Sequence, residues 1–227
     1  MEFTITLVIV IVTVLVSVGG FTNQRIIDDL IFYPPAVTER RQWYRFFTCG
    51  LIHADVGHLA FNMLSLYLFG EFVEKGFNFD LTADRYSFQT MFGEKGRILY
   101  LVMYVSALFV CLLPTFAKHK HDYYYRSLGA SGAVSAVIFA GLLLAPQVKV
   151  GFFILPPIIP GYVFGPLYLI ISTFLERRGT DNVNHSAHIW GAIYGIAFVI
   201  VLSYFLKTEY HPVEQFIYKV KNDLGFH

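Results

Sequence analysis

The sequence predicts an all-α protein, a polytopic bundle of six transmembrane helices, and three observations point to it. Only 15% of the 227 residues are charged, while 56% are hydrophobic and 18% aromatic; a soluble domain carries about 25% charged residues. The charges cluster, leaving Phe3–Gln24, Ile98–Ala117, Ser127–Val148, Val150–Leu175 and Asn182–Leu206 without Asp, Glu, Lys or Arg. A sixth apolar stretch, Phe46–Gly70, holds a single acid, Asp55. Each reaches the roughly 20 apolar residues that a helix needs to cross the hydrocarbon layer.

Six spans leave little chain for anything else, so 1–227 reads as one transmembrane domain with no soluble domain, repeat or low-complexity segment. A net charge of +1 points away from nucleic acid and from polybasic membrane docking. Cys49 and Cys111 lie in or beside apolar segments and read as small packing residues; nothing in the sequence calls for a disulfide, a metal or a cofactor. The first apolar run has no Lys or Arg before it and is long for the core of a signal peptide, so it reads as a retained helix.

Taken in order, helix 1 covers about 3–21 and is rich in Val and Ile. The long connection to Thr48 contains Tyr33-Pro34-Pro35 and the cluster Trp43-Tyr44-Arg45, which suits an interfacial loop with a snorkelling Arg. Helix 2 covers about 50–73 and is followed by a polar connection. Helix 3 covers about 97–116 and ends in the basic loop Lys118-His119-Lys120-His121, whose histidines read as solvated. Helix 4 covers about 128–145 and stops before Pro146. Helix 5, about 151–175, carries Pro156, Pro157, Pro160 and Pro166, so its first half is expected to be kinked or partly non-helical. Helix 6 covers about 185–206. Lys and Arg divide almost evenly between the two faces, so charge does not decide orientation.

Polar residues inside spans are costly and mark function. His53, Asp55, His58 and Asn62 lie in the first turns of helix 2, Ser131 in the first turn of helix 4, and His185 and His188 at the start of helix 6. Even-numbered helices run in the same direction, so these three clusters emerge on one face of the membrane. His58 and Asn62, four apart, share a helix face. His53 and His58 lie about 140° apart around a helix of 3.6 residues per turn, which makes His53 structural. Gly129, Gly132, Ala133, Ala136 and Ala140 give helix 4 a smooth face, and Gly191 and Gly195 share a face with His188. Small residues let membrane helices approach closely, which can bring Ser131 to His188. A serine needs a base within hydrogen-bond reach to become nucleophilic, and histidine is the usual one near neutral pH. Taken singly, each residue is more often a packing or hydrogen-bonding group; together they describe acyl-transfer chemistry.

Gly129-Ala130-Ser131-Gly132, His53-x-x-x-x-His58-x-x-x-Asn62 and Ala187-His188-x-x-Gly191-x-x-x-Gly195 open three even-numbered spans in order. With Trp43-Tyr44-Arg45, Glu74 and Phe92-Gly93, they resemble the rhomboid family of intramembrane serine proteases over about 43–195. The resemblance implies a six-helix rhomboid-like bundle, with Ser131 as nucleophile and His188 as general base and acid. It implies that His58 and Asn62 support the oxyanion, that no cofactor takes part, and that the substrates are transmembrane segments of other proteins within the lipid bilayer. It also places the N-terminus in the cytoplasm and the site toward the outer face. A bacterial cytoplasmic membrane is the expected location.

Two features depart from the pattern. Position 135 is Ser where some members carry an aromatic that packs on the catalytic histidine, and about 76–91 reads as an insertion on the opposite face. Two other functions remain open. A catalytically inactive rhomboid-like protein binds membrane helices without cutting them, but such relatives usually lack the serine or the histidine. A transporter using His53, His58 and His188 predicts two interrupted helices in matching positions, and only helix 5 is interrupted. A zinc protease is disfavoured because no His-Glu-x-x-His is present.

Overall fold

The computed structural model describes residues 3–76, 86–151, 157–179 and 183–226. Its long helices are α1 (Ile5–Thr22), α2 (Val56–Lys75), α3 (Gly96–Val110), α4 (Ser131–Leu144), α5 (Gly161–Arg178), α6 (His185–Phe205) and α7 (Pro212–Asp223). Among the described residues, four helical stretches, Ile5–Thr22, Val56–Lys75, Phe88–His119 and His185–Phe205, are long and apolar enough to cross a membrane.

The side-chain distribution is that of a protein dissolved in lipid. On α1, Thr6, Ile9, Thr13, Ser17 and Gly20 are buried, spaced three and four apart along one face. The opposite side exposes Val8, Val12 and Leu15, the last 68% exposed. Polar and small groups thus face the protein, and branched aliphatics face outward, as helix packing in a bilayer favours.

The start of α1 is fixed by α2. Glu74, fully buried, accepts from the Ile5 N–H, the Thr6 N–H and Thr6 Oγ1, each at 2.9 Å, and lies 3.7 Å from Arg97 Nε. Its carboxylate therefore satisfies N–H groups that a helix start leaves unpaired. Thr4 adds an N-cap, accepting from the Leu7 N–H, and donates to Glu71.

The first loop is built rather than open. It holds short helices Gln24–Leu30, Pro34–Arg40 and Arg45–Thr48 and a 3-10 turn Cys49–Leu51. Arg45 corrects the snorkelling expectation. It is buried, and its guanidinium donates to Gln42 Oε1 at 2.6 Å and to the carbonyls of Asp28 and Ile31 at 2.9 and 2.7 Å. Trp43 stacks on Phe46 with ring centroids 5.9 Å apart. Cys49 and Cys111 are buried and free. His119 also departs from the solvated reading: its ring stacks on Tyr125 at 3.8 Å and meets Asp122 at 3.0 Å. That contact holds the Asp122 carboxyl below the usual carboxylate range.

Several boundaries shift for physical reasons. α2 begins at Val56, because Asp55 caps it by accepting from the His58 N–H at 2.8 Å. α4 is buried on nearly every side, and its 14 residues rise about 21 Å at 1.5 Å each, less than the roughly 30 Å hydrocarbon layer. α5 begins at Gly161, after Lys149–Val150 pairs antiparallel with Ile159–Pro160. Pro166 lies within α5, while Pro156 falls outside the described residues. Of the proposed insertion, 77–85 lies outside the described residues and Phe88–Phe92 is a short helix.

α7 lies beyond the last element expected from sequence. Lys219 Nζ donates to the Leu144 carbonyl at 2.9 Å and sits 5.0 Å from the Tyr86 ring centroid. Tyr210 also donates to that carbonyl, at 3.4 Å. α7 thereby closes the C-terminal end of α4.

Candidate active site

The site forms where the N-termini of α2, α4 and α6 meet. α4 is entered through Gly129, whose φ of 108° lies in a region that disfavours any side chain. A Cβ there would also stand 2.7 Å from His58 Cε1 and 2.9 Å from Nε2. Glycine is thus required twice over, and its absence of a side chain seats the His58 imidazole against the residue two before Ser131. The Gly129 N–H donates to the Cys49 carbonyl at 2.9 Å.

His53 braces the same turn. It precedes α2 rather than lying on it, so its ring is 4.9 Å from that of His58 in an edge-on arrangement, not around the far side of a helix. Ser17 Oγ donates to the Leu51 carbonyl at 2.9 Å and meets His53 Nδ1 at 3.0 Å. The Ala130 N–H points at His53 Nε2 at 3.5 Å. These roles close consistently if Nδ1 carries the proton.

α6 is pressed onto α4. A Cβ on Gly191 would stand 2.0 Å from the Gly132 carbonyl oxygen, and one on Gly195 would stand 2.0 Å from that of Ala136. Asn184 caps α6, its Oδ1 accepting from the Ala187 N–H at 3.0 Å and from Thr115 Oγ1 at 3.1 Å. With the helices this close, His188 Nε2 lies 2.7 Å from Ser131 Oγ, the length of a strong hydrogen bond.

The sequence-chosen residues therefore separate into those that touch and those that do not. Ser131 and His188 are in direct contact, and His58 lies against Gly129. Asn62, one turn further along α2 and 3% exposed, donates its Nδ2 to the His58 carbonyl at 2.9 Å. His185 sits edge-on to His188 with centroids 5.8 Å apart.

Tyr168 of α5 was not singled out from sequence. Its ring lies 6.5 Å from that of His188 at an interplanar angle of 25°, and its hydroxyl is 3.1 Å from Ser135 Oγ. One tyrosine among 15 in an apolar segment gives no pattern that could have flagged it. Among the described residues no group of three or more His, Cys, Asp or Glu is placed to hold a metal ion.

Chemically, the arrangement pairs a hydroxyl with an imidazole nitrogen able to take its proton. Beside them, the first N–H groups of α4 lack acceptors within their own helix, and the positive end of that helix faces the same point.

The chain is similar to proteins of known name over most of its length. RHOMBOID-like protein 12, mitochondrial, of Arabidopsis thaliana is 28% identical over 147 residues, covering 64% of this chain and 42% of the relative. Rhomboid protease GluP of Bacillus subtilis is 27% identical over 177 residues, 78% of this chain and 29% of the relative. Rhomboid-like protein 11, chloroplastic, of Arabidopsis thaliana is 28% identical over 176 residues, 72% of this chain and 54% of the relative. The chain thus matches little more than half, at most, of each of these relatives. Two of the three bear organelle names, which does not favour the bacterial membrane expected from sequence; the protein is an integral membrane protein. A Rhomboid domain model matches residues 40–205, from the loop before α2 to the last turn of α6, and the chain accordingly belongs to the rhomboid family.

Proposed function

We propose that the chain is an intramembrane serine endopeptidase that cleaves transmembrane segments of other membrane proteins, working as a single six-helix unit. The observation that carries this reading is the 2.7 Å contact between Ser131 Oγ and His188 Nε2. In the proposed reaction Ser131 Oγ attacks the scissile carbonyl carbon as its proton passes to His188 Nε2. The carbonyl π electrons move to the oxygen, which is held by N–H groups at the start of α4, by the His58 ring and by the second N–H of Asn62. His188 then delivers its proton to the leaving amine as the C–N bond breaks, and water hydrolyses the acyl-enzyme by the reverse proton relay.

Two features support a membrane substrate. α4, at 14 residues, is shorter than a full span, which leaves room for its N-terminal end to lie below the membrane surface, and the outer surfaces of α1 and α5 are apolar. The dyad's orientation toward the outer face belongs to the same proposal.

The test is covalent labelling of the full chain in detergent with a fluorophosphonate probe, comparing wild type, Ser131→Ala and His188→Ala. Labelling of wild type alone is the expected result, followed by cleavage of a transmembrane reporter in liposomes. Failure of folded wild type to label, both with this probe and with a small isocoumarin, replaces this reading with that of a helix-binding protein without activity. Equal labelling of all three rules out the dyad.

A further inference from the structure

α5 reaches the His188 ring through Tyr168, while Glu176, near its C-terminal end, accepts from the Ser186 N–H at 3.0 Å in the first turn of α6. Its outward side chains, Val163, Leu167, Ile170 and Phe174, are exposed, whereas Tyr168 is the point where α4, α5 and α6 converge. The Tyr168 ring packs on Phe139 of α4 at 5.5 Å and on Phe164 of its own helix at 5.9 Å. Its hydroxyl bonds Ser135 Oγ at 3.1 Å, and Ser135 lies one turn below Ser131 on the same face of α4. Ser172, one turn along α5, also hydrogen-bonds the Tyr168 side chain. The ring lies nearly parallel to that of His188, with centroids 6.5 Å apart at 25°, within the centroid range of offset-stacked aromatic pairs. His185 meets His188 edge-on. The imidazole thus has one aromatic neighbour nearly parallel to it and one nearly perpendicular.

We propose that Tyr168 is a positioning residue for His188: tethered through its hydroxyl to Ser135, its ring sets the plane in which Nε2 meets Ser131. The aromatic support of the base therefore comes from α5, position 135 of α4 being Ser. This inference rests on the dyad reading above. Its physical basis is that an imidazole on a flexible side chain reacts only in one orientation, and misplacement by about 1 Å costs on the order of 100-fold in rate. The aromatic ring restricts orientation, and the hydroxyl bond restricts the ring.

The experiment measures fluorophosphonate labelling of the full chain against probe concentration, separating the limiting rate from the half-saturating concentration. Tyr168→Leu is expected to lower the limiting rate on the order of 10- to 100-fold with the half-saturating concentration unchanged. Ser135→Ala removes the bond to Ser135, and Tyr168→Phe removes that bond and the one to Ser172; both keep the ring, so each retains the rate to within about fivefold, a small fraction of the 100-fold misplacement cost. Ile170→Ala, on the exposed side of α5, labels as wild type. If Tyr168→Leu does not fold, Tyr168→Met takes its place, since methionine fills irregular gaps without a ring to stack.

Wild-type labelling lost in Ser131→Ala but unchanged in the Leu or Met variant overturns this inference alone. A rise in half-saturating concentration at constant limiting rate also overturns it, as does a loss in Tyr168→Phe as deep as in Tyr168→Leu. Absent wild-type labelling, or full labelling of Ser131→Ala, overturns the dyad and this inference together.

Discussion

Gly191→Ala offers the sharpest perturbation of the site without touching a reacting atom. The new methyl carbon would stand 2.0 Å from the Gly132 carbonyl oxygen, whereas a close C···O contact is about 3.3 Å, so α6 must retreat from α4 by about 1.3 Å. Gly191 lies one turn from His188, and Gly132 is adjacent to Ser131. If the retreat is carried to the dyad, the 2.7 Å bond stretches toward about 4 Å, beyond the range of a hydrogen bond. Loss of the base is worth about 10²–10⁴ in rate, so fluorophosphonate labelling should fall by at least about 100-fold, while overpacking lowers stability by only about 1–3 kcal/mol. Gly195→Ala meets the Ala136 carbonyl at the same 2.0 Å but lies one turn further from His188. It should lower the unfolding temperature in detergent equally and the labelling rate less. Wild-type labelling by Gly191→Ala, or equal labelling losses in the two variants, would refute the argument that this interface aligns the dyad.

Other expectations follow from individual contacts. Gly129→Ala places a carbon 2.7 Å from the His58 ring at a φ of 108°, so backbone strain of about 1–3 kcal/mol accompanies displacement of His58. Labelling should fall by at least about tenfold, given that one oxyanion donor is worth about 10²–10³. Glu74→Ala removes the acceptor for two α1 N–H groups and the counter-charge to Arg97. Because Arg97 is 38% exposed, the cost is that of the N–H groups left unpaired, about 1–3 kcal/mol each, read as a lowered denaturation midpoint, and an unchanged midpoint would deny Glu74 its capping role. Arg45→Ala should expose the first loop to proteolysis between 24 and 45. Arg45→Lys should not restore resistance, because an ammonium lacks the planar fork that reaches three acceptors.

Much of this was written in the chain because a bilayer imposes its solvent on composition. Uncharged runs marked the long helices, and the alternation of direction put Ser131, His58 and His188 at one end of the bundle before any coordinate was known. The small faces of helices 4 and 6 were equally legible, since glycine at three- and four-residue spacing has few other uses in a membrane helix. The same signals failed wherever a long-range partner decided the outcome. Arg45 carries the sequence signature of an interfacial residue and is instead an internal strut, because three acceptors 3 to 17 residues away happen to converge on it. His53 and His58 were separated by assuming a continuous helix, yet Asp55 caps α2 between them and brings the rings together.

What the sequence by itself determined, then, is the class of fold, the order of its helices and the end at which the polar residues gather, all of which depend on local periodicity and solvent. Only the tertiary structure decided that Ser131 and His188 stand 2.7 Å apart, that α4 is only 14 residues long, and that a tyrosine from α5 lies 6.5 Å from the imidazole, nearly parallel to it. Those depend on how far apart helices pack and which of their faces meet, and such distances are set by side chains remote in sequence meeting in space.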